Sequence, residues 1–107
     1  MKVMIIGAGK LGYKLSELMV AEGIDVTVID NNPQVIEFVN EHLDVLTVVS
    51  NGMDISKKKK KSIKEYGLLV TTTHSDEANA LICSLAKKLG CVKTIARVRN
   101  PEYMQQL

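Results

Sequence analysis

Six residues near the start of the chain, Gly7-Ala8-Gly9-Lys10-Leu11-Gly12, leave few folds open. A G-x-G-x-x-G pattern is weak evidence alone, because short glycine patterns arise by chance. Here it directly follows the apolar, β-rich run Lys2-Val3-Met4-Ile5-Ile6 and opens a stretch of helical periodicity, and Asp30 ends a second β-rich run about 20 residues on. Those are the three conditions that turn the pattern into a phosphate-cradling β-to-α turn. Gly7 permits the tight turn, Gly9 lets a diphosphate approach the backbone, and Gly12 lets the helix pack closely on the sheet. Free N–H groups and the helix dipole there attract phosphate.

The rest of the chain alternates strand and helix signals. Leu11, Leu15, Leu18 and Met19 recur at helical spacing over 10–22, and Gly23 supplies a stop. A second strand is expected over 24–29. Asn32-Pro33 then sets an N-cap and first-turn proline before Val35, Ile36, Val39 and Leu43. A third strand covers 45–49, followed by an Asn51-Gly52 turn and a third helix capped by Asp54 or Ser56. The fourth strand spans 68–72. Ser75 caps a helix with Asp76 and Glu77 in its first turn, a face of Ala78, Leu81, Ile82, Leu85 and Leu89, and Lys87, Lys88 and Gly90 at its end. A fifth strand over 92–98 leads to Asn100-Pro101, which repeats the cap-plus-proline signal for a further helix. Such alternation builds right-handed βαβ crossovers, so the expected fold is a single α/β domain over 1–107, a Rossmann-like doubly wound parallel sheet with five strands visible and a sixth missing.

Composition sets the outer limits. At 107 residues a second catalytic domain is not expected, and 46% apolar with 24% charged residues describes a soluble globule. No apolar run approaches the 18 or more residues of a membrane span, so direct membrane insertion is not expected and a cytoplasmic location is. Cys83 and Cys91 fit neither a disulfide framework nor a metal-ligand spacing and read as buried packing. Five of the 14 basic residues form the run 57–61, leaving 9 against 12 acidic ones; a broad basic face for nucleic acid is lacking. The run interrupts the apolar spacing of the third helix. It reads either as a solvated or frayed stretch or as a docking patch for an anionic surface.

Ligands of such sheets sit beyond the carboxyl ends of the strands, where the connections from the first and fourth strands diverge. Asp30 is placed to accept hydrogen bonds from the hydroxyls of an adenosine ribose, and its charge repels a 2′-phosphate, which favours NAD or an adenine nucleotide over NADP; Asn31 lies beside it. Lys10 either reaches a terminal phosphate or is a solvated lysine on the first turn. Asn51 and Gly52 fall near the expected adenine position, and Thr73, His74 and Ser75 fall at the switch point. His74 is read as a contact or an exposed residue, since no nucleophile or paired base accompanies it. Arg97 and Arg99 alternate along the fifth strand and point to one face, to hold phosphate or an acidic residue of a partner, or simply to end an exposed strand.

With these residues in view, the chain resembles the N-terminal nucleotide-binding domain of Trk/Ktr potassium-uptake regulatory proteins, also called TrkA-N or the RCK N-terminal domain. The likeness covers nearly all 107 residues. It rests on the glycine hexapeptide, Val28-Ile29-Asp30, Asn51-Gly52, Leu68-Leu69-Val70-Thr71-Thr72-Thr73 running into Ser75-Asp76-Glu77-Ala78-Asn79, and Lys93-Thr94-Ile95-Ala96-Arg97-Val98-Arg99-Asn100-Pro101. The last two stretches are the more specific. The resemblance implies binding of NAD(H) or of ADP and ATP, assembly as a dimer or larger homo-oligomer, and a membrane potassium transporter or channel subunit as partner. It also implies ligand contacts at Gly7, Ala8, Gly9, Lys10, Leu11, Asp30, Asn51, Thr73, His74 and Arg97. Three departures stand out: lysines where relatives carry Val/Leu-type residues at 57 and 58, no sixth strand or C-terminal ligand domain, and Lys10 where many relatives carry arginine. The resulting expectation is a non-enzymatic regulatory unit on the inner face of the cell membrane. The competing readings are the cofactor half of an NAD-dependent dehydrogenase and a remnant that has lost its ligand.

Overall fold

Five parallel strands lie in the order β3-β2-β1-β4-β5. They are β1 (Lys2–Ile6), β2 (Asp25–Asp30), β3 (Leu46–Val49), β4 (Tyr66–Thr71) and β5 (Thr94–Ala96). Between them run α1 (Lys10–Ala21), α2 (Pro33–His42), a 3-10 helix (Gly52–Lys57), α3 (Lys60–Lys64) and α4 (Asp76–Lys88). The computed structural model describes residues 1–57, 60–100 and 102. The strand order is that of the doubly wound dinucleotide fold as far as its fifth strand, with the switch point between β1 and β4.

Alternation along β1 sorts the core into two layers. Val3 and Ile5 join Val26, Val28 and Val70 under α1 and α2, where Ile36 and Val39 close the layer. Met4 and Ile6 face the other way with Ile29 and Leu69, covered by Ile82, Cys83 and Ala86 of α4, by Ile55 of the 3-10 helix and by Ile63 of α3. Being central, β1 is buried on both faces, which explains its unbroken apolar run. Both cysteines, Cys83 and Cys91, sit in the second layer as free thiols.

The helix ends follow the expected chemistry. Asn32 accepts the Gln34 N–H at 2.9 Å to cap α2, and Ser75 accepts the Ala78 N–H at 3.1 Å to cap α4. Three expectations are corrected. First, the third helix is not one helix. Its two buried apolar anchors are Ile55 and Ile63, and the lysines between them supply no apolar face, so a 3-10 turn and a short α3 replace it. The cap is Asn51, whose side chain accepts the Met53 N–H at 3.0 Å and whose carbonyl accepts the Asp54 N–H at 2.9 Å. Lys58, Lys59 and the side chains of Lys57, Lys60 and Lys61 lie outside the described residues, as does the final helix beyond its Asn100 cap, which accepts the Glu102 N–H.

Second, the face of α1 is rotated: Gly12 and Ser16 are its fully buried residues, and of the expected apolar face Leu15 and Met19 pack on the core layer while Leu11 and Leu18 do not. Leu11 and Leu18 are 40% and 53% exposed. A Cβ on Gly12 would stand 1.9 Å from the Gly7 carbonyl oxygen, so the glycine marks where helix and turn touch, and that contact sets the rotation of the whole helix. Leu81 of α4 is likewise half exposed, the buried residues of that helix being Asn79, Ile82, Cys83 and Ala86. Third, β5 ends at Ala96. The Arg97 N–H still reaches the Thr71 carbonyl at 2.9 Å, but Arg99 and Asn100 turn onto Asp76 instead of extending the sheet.

Candidate functional site

A cavity of about 680 Å³ opens at the carboxyl ends of the strands, and every residue expected at the site lines it. One wall is the turn from β1 to α1. Gly7 takes φ +97°, which only glycine adopts readily, and its N–H donates to the Ile29 carbonyl at 2.7 Å. The Thr72 hydroxyl donates to the Gly7 carbonyl at 2.8 Å, fastening the turn to the end of β4. Gly7 and Gly12 are therefore demanded by the fold itself.

Gly9 differs. Among the described residues, nothing beyond its chain neighbours and the adjoining helix backbone lies within 4 Å of where its Cβ would stand, and its φ of −69° suits any residue. Nothing in the chain requires glycine there, while the missing side chain leaves the cavity open against the backbone. Gly9 is also the N-cap of α1, and no side chain caps that helix, in contrast to α2 and α4. The first-turn N–H groups have no intrahelical partners and carry the positive end of the helix dipole. They form a cradle for a diphosphate.

The opposite wall begins at the end of β2. One oxygen of Asp30 accepts the Ala8 N–H at 2.8 Å and the other accepts the Asn32 N–H at 2.8 Å. The carboxylate thus ties the glycine turn to the β2–α2 connection, with lone pairs left over for further donors. Its bond to Ala8 also narrows the phosphate cradle: the N–H groups of Gly7 and Ala8 are spent inside the protein, and the available donors begin beyond them. Gly52 receives a structural explanation too. Its Cβ would stand 2.6 Å from Ile6 Cγ2 and 2.7 Å from Ile82 Cδ1, so the residue is glycine to let the 3-10 helix lie on the sheet. Ser50, which sequence reasoning missed, lines the cavity and donates to Asp54 Oδ2 at 2.9 Å, steadying Asn51.

The third wall is the β4–α4 loop with the segment after β5. Asn79, fully buried on α4, organises both: its side-chain oxygen accepts the Thr73 N–H at 3.0 Å and the Thr73 hydroxyl at 2.6 Å, and its amide donates to the Thr73 carbonyl at 3.1 Å and the Arg97 carbonyl at 2.9 Å. An asparagine among apolar helix residues is the signal that could have exposed this role. The Arg99 guanidinium donates to the His74 carbonyl. Asp76 accepts the N–H groups of Arg99 at 3.0 Å and Asn100 at 2.8 Å, and these bonds, with the arginine charges behind them, hold its carboxyl below the usual aspartate value. Burial pushes the Cys83 thiol up, so it is a neutral packing group at physiological pH. Among the described residues no group of His, Cys, Asp and Glu has the arrangement of a metal site.

The family model of the TrkA-N domain matches residues 3–107. A Trk system potassium uptake protein TrkA homolog of Methanothermobacter thermautotrophicus is 37% identical over 103 residues, covering 96% of this chain and 48% of that protein. The Trk system potassium uptake protein TrkA of Azorhizobium caulinodans is 34% identical over 106 residues, covering 98% of this chain and 23% of that protein. The chain therefore spans half or less of the length of these relatives. Among solved structures, the NAD(P)-binding domain of an exopolyphosphatase-related protein from Archaeoglobus fulgidus superposes with a TM-score of 0.85 at 22% identity, covering 97% of this chain and 77% of that one. The Shewanella denitrificans Kef CTD in its AMP-bound form superposes with a TM-score of 0.75 at 22% identity, covering 99% and 64%. These two likenesses establish a shared fold. With the family match running over nearly the whole chain, and with the glycine turn and the Asp30 bridge in the places that fold reserves for them, the chain belongs to the TrkA-N domain family.

Proposed function

We propose that the chain is the adenine-nucleotide-binding regulatory unit of a membrane potassium uptake system, with NAD(H) or ADP/ATP held in the cavity. The observation that carries the reading is Gly9, a glycine the fold does not need, standing at the uncapped N-terminus of α1 across from Asp30. In this arrangement the first-turn N–H groups of α1 hold the diphosphate, which is common to NAD, ADP and ATP. The free lone pairs of Asp30 take the ribose hydroxyls, with Asn31 beside them, and Asn51 borders the adenine. Thr73, His74, Arg97 and Lys10 meet the distal part of the ligand. The relatives' names, together with an AMP-bound protein of the same fold, support the potassium and nucleotide parts of the reading. The unit is read as regulatory rather than enzymatic because relatives sharing a third of its residues carry potassium uptake names.

The membrane transporter is a separate partner in this reading. Among the described residues no helix is long and apolar enough to cross a membrane. In this reading the unit works from the inner face of the membrane as a homo-oligomer. A nucleotide shifts the transporter only by the difference between its affinities for two arrangements of the paired units. Titration calorimetry with NADH, ADP and ATP tests the binding step. Micromolar to submillimolar binding of at least one is expected, and no heat from any at millimolar concentration overturns the reading. Asp30→Ala removes both main-chain bridges along with the ribose acceptor, so affinity for every adenosine ligand is expected to fall at least tenfold; unchanged affinity removes Asp30 from the site.

A further inference from the structure

The segment that leaves β5 is held onto the cavity by a second carboxylate that the nucleotide reading does not use. Asp76, in the first turn of α4, accepts the main-chain N–H groups of Arg99 and Asn100, residues 23 and 24 positions away. Held there, Arg99 lines the cavity and its guanidinium donates to the His74 carbonyl. That carbonyl is a neutral acceptor. A phosphate in the same cavity is a charged one, and charge-assisted hydrogen bonds to guanidinium are roughly twice as strong as neutral ones. Arg99 is also more than a third exposed, free to exchange one acceptor for the other.

We propose that Asp76 is a positioning residue: by clamping the Arg99 and Asn100 main chain, it presents the Arg99 guanidinium to the distal phosphate of a nucleoside di- or triphosphate and ties occupancy of the cavity to the order of the Arg99 and Asn100 backbone. This rests on the nucleotide reading above and adds to it the distal-phosphate contact and the route by which occupancy leaves the site. The route runs through a two-partner arginine. Without ligand the guanidinium stays on the His74 carbonyl; with a distal phosphate it moves to the ligand and anchors more firmly the backbone that Asp76 already holds. The clamp is well supported from behind, because Asn79 binds the Arg97 carbonyl two residues earlier.

The test compares AMP with ATP in the protein and in the Asp76→Asn, Arg99→Ala and doubly substituted variants. AMP spans only the Asp30 side of the cavity and serves as the internal check of folding. ATP affinity is expected to fall about tenfold in each single variant, the size of one charge-assisted hydrogen bond. AMP affinity should stay within about twofold, and the double variant should lose no more than either single one, because the two residues act through each other. Amide exchange at Arg99 and Asn100 should slow on ATP binding in the unsubstituted protein and respond little in Asp76→Asn. Equal losses for AMP and ATP, additive losses in the double variant, or ATP binding without any change at those two amides each overturn the clamp while leaving nucleotide binding intact. Failure of the unsubstituted protein to bind any nucleotide overturns both.

Discussion

Gly9 and Gly12, three positions apart at the start of α1, carry opposite meanings, and substitution separates them. A methyl group on Gly12 meets the Gly7 carbonyl oxygen at 1.9 Å and Thr72 Oγ1 at 2.7 Å, and the first of these is backbone that cannot swing aside. Gly12→Ala is expected to cost about 3 kcal/mol or more through overpacking, read as a lower denaturation midpoint. A methyl group on Gly9 meets no described side chain and no backbone beyond its own neighbours, so Gly9→Ala should leave stability within about 0.5 kcal/mol while reducing nucleotide affinity at least tenfold. Calorimetry beside thermal unfolding reads both variants, and a Gly9→Ala protein that binds normally would return that glycine to chance. Both glycines were legible as a motif. Which one serves the fold and which the ligand was not, because the distinction lies in what surrounds a missing Cβ.

At the level of elements, the caps were legible and the faces less so. Asn32 and Ser75 cap their helices as their positions before Pro33 and Asp76 imply, since an N-cap depends on neighbours two or three residues away. Ser75→Ala is expected to cost about 1 kcal/mol, with a matching fall in the denaturant midpoint and no change in its slope. The exposed leucines of α1 were misassigned because periodicity locates an apolar stripe only to within a side chain or so, whereas the Gly12 contact fixes the rotation. The third helix failed for a different reason: between its anchors Ile55 and Ile63 the lysine run puts no apolar side chain at the intervening three- or four-residue spacing. The Asp76 clamp gives a pH prediction with a definite sign. The folded-state carboxyl lies below the ordinary aspartate value because the Arg99 and Asn100 N–H groups bind its charged form. Its contribution is therefore complete above the unfolded value of about 3.9 and disappears as pH falls through the lower folded value. The amide resonances of Arg99 and Asn100 should titrate together below that ordinary value; an inflection at or above it contradicts the clamp.

For the molecule as a whole, one sheet shared by two apolar layers predicts that damage in either layer is felt everywhere. Ile5→Ala, in the α1/α2 layer, should cost about 2–5 kcal/mol and lower the midpoint of a single unfolding transition seen by every probe. Asn79 is the polar counterpart, joining β4, α4 and the segment after β5. Asn79→Leu leaves the Thr73 and Arg97 backbone groups unpaired and is expected to cost about 3 kcal/mol, and it should also weaken binding, since Thr73 and Arg97 both line the cavity. A destabilised protein that binds with full affinity would show that the third wall is dispensable.

Alternating apolar runs, the Asn32-Pro33 cap-plus-proline signal and the glycine turn were enough to derive five strands, their parallel direction and the end of the sheet where the cavity opens. All of these rest on interactions among near neighbours or on the handedness of βαβ crossovers, which the local pattern carries. Tertiary packing decided the rest: the rotation of α1 about Gly12, the bond that commits the Ala8 N–H to Asp30, the structural reason for Gly52, and the meeting of Asp76 with Arg99. Each depends on atoms brought together by strand register and close packing from distant parts of the chain, and no local pattern of residue types specifies where such atoms will lie.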